Sequence, residues 1–134
     1  MEEHVYQVRV RYSETDQMGY VYYGNYARFY EIGRTEMMRA AGIHYKKMEE
    51  EGIMMPVMSM EAKYVRPAQY DDLITIRTRI RTLDERQIVF VSLIYNEAGE
   101  LLNRGTVKLC FIDKTTHERI NTPSFIFDIL PENL

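Results

Sequence analysis

The stretch Tyr12 to Tyr26, YSETDQMGYVYYGNY, places one carboxylate, Asp16, just ahead of Gly19 and a run of tyrosines. A helical pattern opens where this stretch ends. Helix N-termini present backbone amides without intrahelical partners and the positive end of the helix dipole. A carboxylate facing such amides is the minimum equipment for acyl transfer. The acid serves as base or nucleophile, and the amides around Tyr23 to Asn25 hold a developing oxyanion. Gly19 lets a backbone approach a ligand closely. Taken alone, Asp16 reads as a turn acid making local hydrogen bonds; its surroundings give the chemical reading its weight.

Other chemistry-bearing residues are less well placed. Arg77, Arg79 and Arg81 form a ladder that could grip phosphates, but a solvated sheet face with cross-strand ion pairs is the simpler expectation. Met54, Met55, Met58 and Met60 suit an adaptable pocket or plain core filling. Cys110 stands between Leu109 and Phe111 in a strand pattern, where a buried, inert thiol is expected. His4, His44 and His117 are widely scattered and resemble no metal-ligand cluster, so no metal is expected.

The elements that would position Asp16 follow from periodicity. HVYQVRVRY alternates Tyr6, Val8, Val10 and Tyr12 against Gln7, Arg9 and Arg11, the period of a half-buried strand. A helix is predicted over 25–41, with Tyr26, Phe29, Tyr30, Gly33, Met37, Ala40 and Ala41 on one face, Asn25 as N-cap and Gly42 at its end. A shorter helix over HYKKMEEEG ends at Gly52. Four strands follow: PVMSMEAKYV, LITIRTRIRTL, QIVFVSLIYN and ELLNRGTVKLCFID. Ile74, Ile76, Thr78 and Ile80 face one way, with Val107, Leu109 and Phe111 also inward. Hairpin-length turns at LDERQ and NEAGE make the last three an antiparallel meander. The tail TPSFIFDILPENL carries an apolar cluster of its own, expected to pack on the body or a partner. One buried helix against one antiparallel sheet is an α+β layout.

With 134 residues and 46% hydrophobic content, the chain has room for one cored domain. A net charge of −3 gives no electrostatic case for nucleic acid as the main partner. The longest apolar run is too short for a membrane span. The acidic, polar start MEEHVYQ does not read as a targeting peptide, and the single cysteine permits no internal disulfide. A cytoplasmic protein is expected. An open sheet leaves edges to pair, so self-association is expected too.

YSETDQMGYVYYGNYARFYEIGRTEMM resembles the signature of the 4-hydroxybenzoyl-CoA thioesterase-like branch of the hotdog-fold acyl-CoA thioesterases, through Asp16, Gly19, Val21, Tyr22, Tyr23 and Tyr26. A second block, YVRPAQYDD, is similar to the family at Pro67, Ala68, Tyr70, Asp71 and Asp72. The resemblance implies one hotdog thioesterase domain over 1–134, a five-stranded antiparallel sheet wrapped around the long helix. It implies a homo-oligomer, dimer or homotetramer, with sites between subunits, and an acyl-CoA substrate with no cofactor. Asp16 becomes the catalytic carboxylate, and the Tyr23 amide polarises the thioester carbonyl. Gly19, Val21, Tyr22 and Tyr26 shape the acyl pocket, and Arg66 and Arg86, basic residues near strand ends, are candidates for the coenzyme A phosphates. RTEMMR resembles the subgroup associated with the Tol–Pal envelope system, which usually has histidine where this chain has Tyr23; the aromatic-thioester subgroup has an aromatic residue there. A binding module that holds acyl-CoA or acyl-carrier protein without turnover is the alternative. A sister dehydratase fits less well, because that family pairs its aspartate with a histidine five residues on, where this chain has Val21.

Overall fold

The computed structural model describes residues 3–130. Two sheets and three α-helices are built in the order β1 (His4–Arg9), α1 (Tyr26–Ala40), α2 (Tyr45–Glu50), β2 (Ile53–Met54), β3 (Val57–Tyr64), β4 (Leu73–Leu83), β5 (Ile88–Tyr95), β6 (Leu101–Leu109), β7 (Phe111–Asp113), β8 (Arg119–Ile120) and α3 (Ser124–Ile129). The main sheet is antiparallel with strand order β1-β4-β5-β6-β3. The expected meander is β4-β5-β6, and β3, the weakest of the sequence patterns, pairs with β6 at one edge. A second sheet, β2-β7-β8, was not foreseen. It arises because Cys110 interrupts the last predicted strand, its amide bonding to the Pro56 carbonyl at 3.2 Å.

The core lies between α1 and the main sheet. Ile74, Ile76 and Ile80 of β4 and Ile88, Phe90 and Ile94 of β5 meet Tyr26, Phe29, Tyr30, Met37 and Met38 of α1. The alternation in β4 that predicted this face is the one observed. β5 differs: Val89 and Val91, on the opposite face, are buried as well, as befits the central strand of the sheet. Gly105 of β6 lies beneath the ring of Tyr30, where any Cβ would collide with three ring carbons. That contact sets how closely the helix approaches the sheet.

Three local expectations change. β1 ends at Arg9, so Tyr12 does not point inward; it opens a short 3-10 turn and is 77% exposed. Glu14 draws the chain out of the strand, accepting the Arg11 amide at 2.6 Å from a position 3% exposed. Asn25 precedes α1 as expected, but its side chain donates to the Glu14 carbonyl at 2.8 Å instead of capping the helix. Ala40 is exposed, and Arg34 is buried beside Tyr45 and Met48 of α2. Met58 and Met60 belong neither to the core nor to the cavity beside Asp16; they lie exposed on β3, Met60 at the rim of a separate groove. In the tail, Ile126 and Leu130 pack into the core of the body, while 131–134 fall outside the described residues. Among the described residues no helix is long and apolar enough to cross a membrane.

Candidate active site

The loop between β1 and α1 is folded by its own polar groups. Asp16 closes a turn in which its backbone amide bonds to the Tyr20 carbonyl at 2.9 Å and its carbonyl accepts the Gly19 amide at 3.0 Å. Gly19 adopts φ 79°, the left-handed conformation that favours glycine, so its role is the turn itself. One oxygen of the Asp16 carboxylate, Oδ1, accepts the Met18 amide at 2.9 Å. The other is not used by the turn.

Past this turn the chain is pinned to the second sequence block. The Val21 amide donates to the Ala68 carbonyl at 2.8 Å, and Tyr20 bridges Gln69. That block is itself tied to the end of β1, since Val10 exchanges hydrogen bonds with Asp71 and Asp72 at 3.1 and 2.9 Å. A 3-10 turn over Tyr23–Asn25 then leads directly into α1. The first amide to find a partner inside this turn is that of Asn25, bonded to the Tyr22 carbonyl at 2.9 Å. The amides of Tyr23 and Gly24 come before it, in the positions a helix start leaves open.

These segments enclose a cavity of about 350 Å³ lined by Asp16, Met18, Tyr20, Val21, Tyr23, Tyr26, Tyr64, Val65, Arg66 and Pro67. The volume lies in the range of small-ligand sites, which are mostly apolar with a few placed polar groups. Tyr64 is the hinge of the aromatic wall. Its ring meets Tyr26 edge-on at 5.5 Å and Tyr23 at 6.4 Å, and its hydroxyl donates to the Tyr23 carbonyl at 3.2 Å. The Tyr26 hydroxyl accepts the Ala68 amide at 3.3 Å. Burial pushes the Tyr26 phenol above its usual pKa, with the Ala68 hydrogen bond opposing in part. Among the lining residues the charged side chains are Asp16 and Arg66. Arg66 lies 3.3 Å from Glu100, an exposed pair of small energetic weight.

Of the residues singled out by sequence, Asp16, Val21, Tyr23, Tyr26 and Arg66 come together around one space. Tyr22 stacks on Tyr23 at 4.7 Å but does not line the cavity, and Gly19 lies behind it in the turn. Arg86 stands elsewhere. It sits in the β4–β5 turn, bonded to Asn121 at 3.1 Å, whereas the cavity borders Tyr64, whose row across the sheet is Asn103 and Ile94. The two ends of β5 are about 20 Å apart by strand rise. Sequence reasoning missed Tyr64 and Val65 as cavity walls. The signal was available in YVRPAQYDD, which begins at Tyr64, but that block was read for its family likeness and not for contact with Asp16.

A model of the Thioesterase-like superfamily matches residues 10–130. The chain belongs to that superfamily. The Escherichia coli O157:H7 acyl-CoA thioester hydrolase YbgC is 36% identical over 106 residues, 79% of this chain and 79% of YbgC. YneP of Bacillus subtilis (strain 168) is 36% identical over 114 residues, 85% of this chain and 83% of YneP. Among solved structures, a DHNA-CoA thioesterase from Staphylococcus aureus superposes with a TM-score of 0.93 at 29% identity, covering 99% of this chain and 89% of that one. The antiparallel sheet and single long helix match this thioesterase architecture.

Proposed function

We propose that this protein hydrolyses an acyl-CoA thioester to a free carboxylic acid and coenzyme A, with Asp16 as base or nucleophile and the Tyr23 amide polarising the carbonyl. The chain is a thioester hydrolase by family. The observation that carries the mechanism is that Asp16 and Tyr23 line the same aromatic-walled cavity. A thioester carbonyl seated there would meet a carboxylate on one side and open helix-start amides on the other. The walls suit an apolar acyl group, aryl or short aliphatic. RTEMMR and the identity with YbgC support the Tol–Pal-associated subgroup, and the reading includes a cytoplasmic location. It also has the sheet curve around α1, supported by contacts of the helix with β1, β4, β5 and β6.

Turnover of a panel of acyl-CoAs, followed with a thiol reagent, tests the activity directly. Release of coenzyme A is expected; binding without release would make the protein a holding module instead.

Arg66 is the cation at the cavity rim, and coenzyme A carries several phosphate charges. Arg66→Ala should raise KM for acyl-CoA roughly fivefold, the scale of about 1 kcal/mol for an exposed charge contact, with kcat unchanged. The difference should shrink as salt screens the contact. An unchanged KM at low salt removes Arg66 from the site. Arg86 can serve the same phosphates only from a neighbouring subunit, and Arg86→Ala tests that.

A homo-oligomer, dimer or homotetramer, is part of the proposal. β3 bonds to β6 on one side only, and Val57, Met58 and Met60 are 51%, 45% and 46% exposed along it. Unpaired apolar edges are templates for a second strand. Light scattering should give a multiple of the 16.0 kDa chain mass. A monomer at micromolar concentration would count against any site completed across subunits.

A further inference from the structure

We propose that the outer face of the main sheet, turned away from α1, carries a second binding site, for a small molecule bearing both phosphate and hydroxyl groups. Register assigns the residues of this face. Arg77 pairs across to Leu93, then Arg104, then Lys63; Arg79 leads through Val91 and Thr106 to Glu61; and Val89 leads through Lys108 to Ser59. Arg81 occupies the bulge in β4 between Ile80 and Thr82. Six cations on β3, β4 and β6 thus share one face with Glu61, while Arg9 of β1, on the same face opposite Leu73, is paired with Glu97 at 3.8 Å.

The wider charge balance makes this unusual. The chain has 17 basic and 20 acidic residues, so apart from these six cations and Glu61, 11 basic residues stand against 19 acids. The cross-strand ion pairs expected for the arginine ladder do not form. Among the described residues none of the six cations lies in an ion pair, because β5 offers only Val89, Val91 and Leu93 opposite them. Arg77 alone has an aromatic partner, its guanidinium 6.0 Å from the Tyr95 ring centroid. Clustered like charges repel, and their arrangement without counter-charges points to an anionic ligand.

The shape of the site narrows the ligand. A groove of about 530 Å³ runs over the β4–β5 end of the face, with Arg81 and Lys108 beside Ser59, Thr82, Thr106 and Gln87. Two cations supply charge-assisted hydrogen bonds to phosphate oxygens, and three hydroxyls and an amide complete an oxygen-recognising surface. Glu61, also in the lining, is an acceptor for a ligand hydroxyl. A concave groove in this size range holds a small molecule, where a nucleic acid or an acidic protein would need a broad surface. A nucleotide or a sugar phosphate has the matching chemistry.

The groove is separate from the acyl cavity. Lys108 lies five residues along β6 from Asn103, which pairs with the cavity residue Tyr64; that is about 17 Å by strand rise, and the two sites open on opposite faces. A thioester bound through Asp16 leaves the groove free in the same subunit.

ADP, which carries phosphates and ribose but no thioester, is the probe. Titration calorimetry at low salt should show ADP binding to the wild-type protein, weakening as salt rises. Arg81→Ala/Lys108→Ala should lose at least about tenfold in affinity, the scale of lost hydrogen bonds between charged groups, while circular dichroism is unchanged. Should that double variant fail to fold, Lys108→Gln alone gives the same comparison. ADP is also part of coenzyme A, so Arg66→Ala removes any binding at the acyl-CoA site; the binding that remains in Arg66→Ala and is lost when the double variant is added to it belongs to the groove, whether or not the protein is a thioesterase. The proposal falls if the wild type does not bind ADP, if no ADP binding remains in Arg66→Ala, or if what remains there survives the double variant. It also falls if the double variant raises KM for an acyl-CoA and not for the corresponding acyl-pantetheine, because the groove would then serve the substrate's own nucleotide from a neighbouring subunit. Preference for a single-stranded oligonucleotide over ADP would overturn the small-molecule assignment.

Discussion

Asp16→Asn should lower kcat by on the order of 10²–10⁴-fold, the usual scale for losing a positioned base, with little change in KM. The local structure makes this substitution unusually clean. Asp16 Oδ1 accepts the Met18 amide at 2.9 Å, and the amide oxygen of asparagine can accept the same bond. The turn through Gly19, the strand bridge to Gln69 and the start of α1 should therefore survive, and thermal stability with them. What disappears is the negative charge beside the cavity. A variant with near-normal turnover would reduce Asp16 to a turn residue, the role its hydrogen bonds alone would suggest. Asp16→Ala is the wrong comparison, since it removes the turn bond and the charge together.

The two roles open to Asp16 separate in a single turnover of substrate-saturated enzyme in ¹⁸O water. Direct attack by the carboxylate on the thioester carbonyl expels the coenzyme A thiolate and leaves a mixed anhydride. If water then opens that anhydride at the Asp16 carbonyl, label stays on the enzyme. Water activated by Asp16 as a base puts label in the product acid at once. Because opening at the substrate carbonyl would also label the product, only label on Asp16 is decisive. Among the residues lining the cavity there is no second carboxylate or histidine to help resolve an anhydride, and this favours water activation.

How far the chain could be read beforehand depended on how local the signal was. β4 announced itself because Ile74, Ile76 and Ile80 are fully buried while Arg77 and Arg81 are exposed, and period-two alternation survives any tertiary context. α1 was equally legible from its apolar stripe, apart from its polar details. Arg34, which the apolar stripe did not include, is buried, and the Asn25 side chain joins the Tyr22 amide on the Glu14 carbonyl. Glu14 escaped notice entirely. A glutamate buried in a loop has no periodicity, and its importance comes from the Arg11 amide it accepts and from Arg28, 3.4 Å away. The cavity split the same way. Asp16 and Tyr23 are close in sequence and were found together, whereas Tyr64 and Val65 reach them only through the pairing of β3 with β6 and the bond from Val21 to Ala68. Arg86 shows the opposite error. Its type was plausible for phosphate contact, but sequence alone could not show that its strand end lies at the far side of the sheet.

Gly105→Ala should destabilise the fold by roughly 3 kcal/mol or more, toward the upper end for overpacking a core. An added methyl at Gly105 would fall within the ring of Tyr30, against Cζ, Cε1 and Cε2 at once. Tyr30 cannot easily yield. It is 1% exposed, and its hydroxyl donates to Asn103, which is wholly buried on the same strand. Swinging the ring aside would break that bond and leave a buried acceptor unmet, a cost of about 1–3 kcal/mol by itself. Burial already pushes the Tyr30 phenol well above its usual pKa, so this hydroxyl remains a donor at any ordinary pH. The alternative is for α1 to lift from the sheet, and Tyr26, one turn before Tyr30, would move with it and open the cavity wall it shares with Tyr64. Urea denaturation measures the loss, and a double-mutant cycle identifies its source. In a Tyr30→Leu background the ring is gone, so Gly105→Ala should cost much less than it does in the wild type. Costs that add within about 0.5 kcal/mol would show that the two residues do not constrain each other, and that something other than the Tyr30–Gly105 contact sets the distance between helix and sheet.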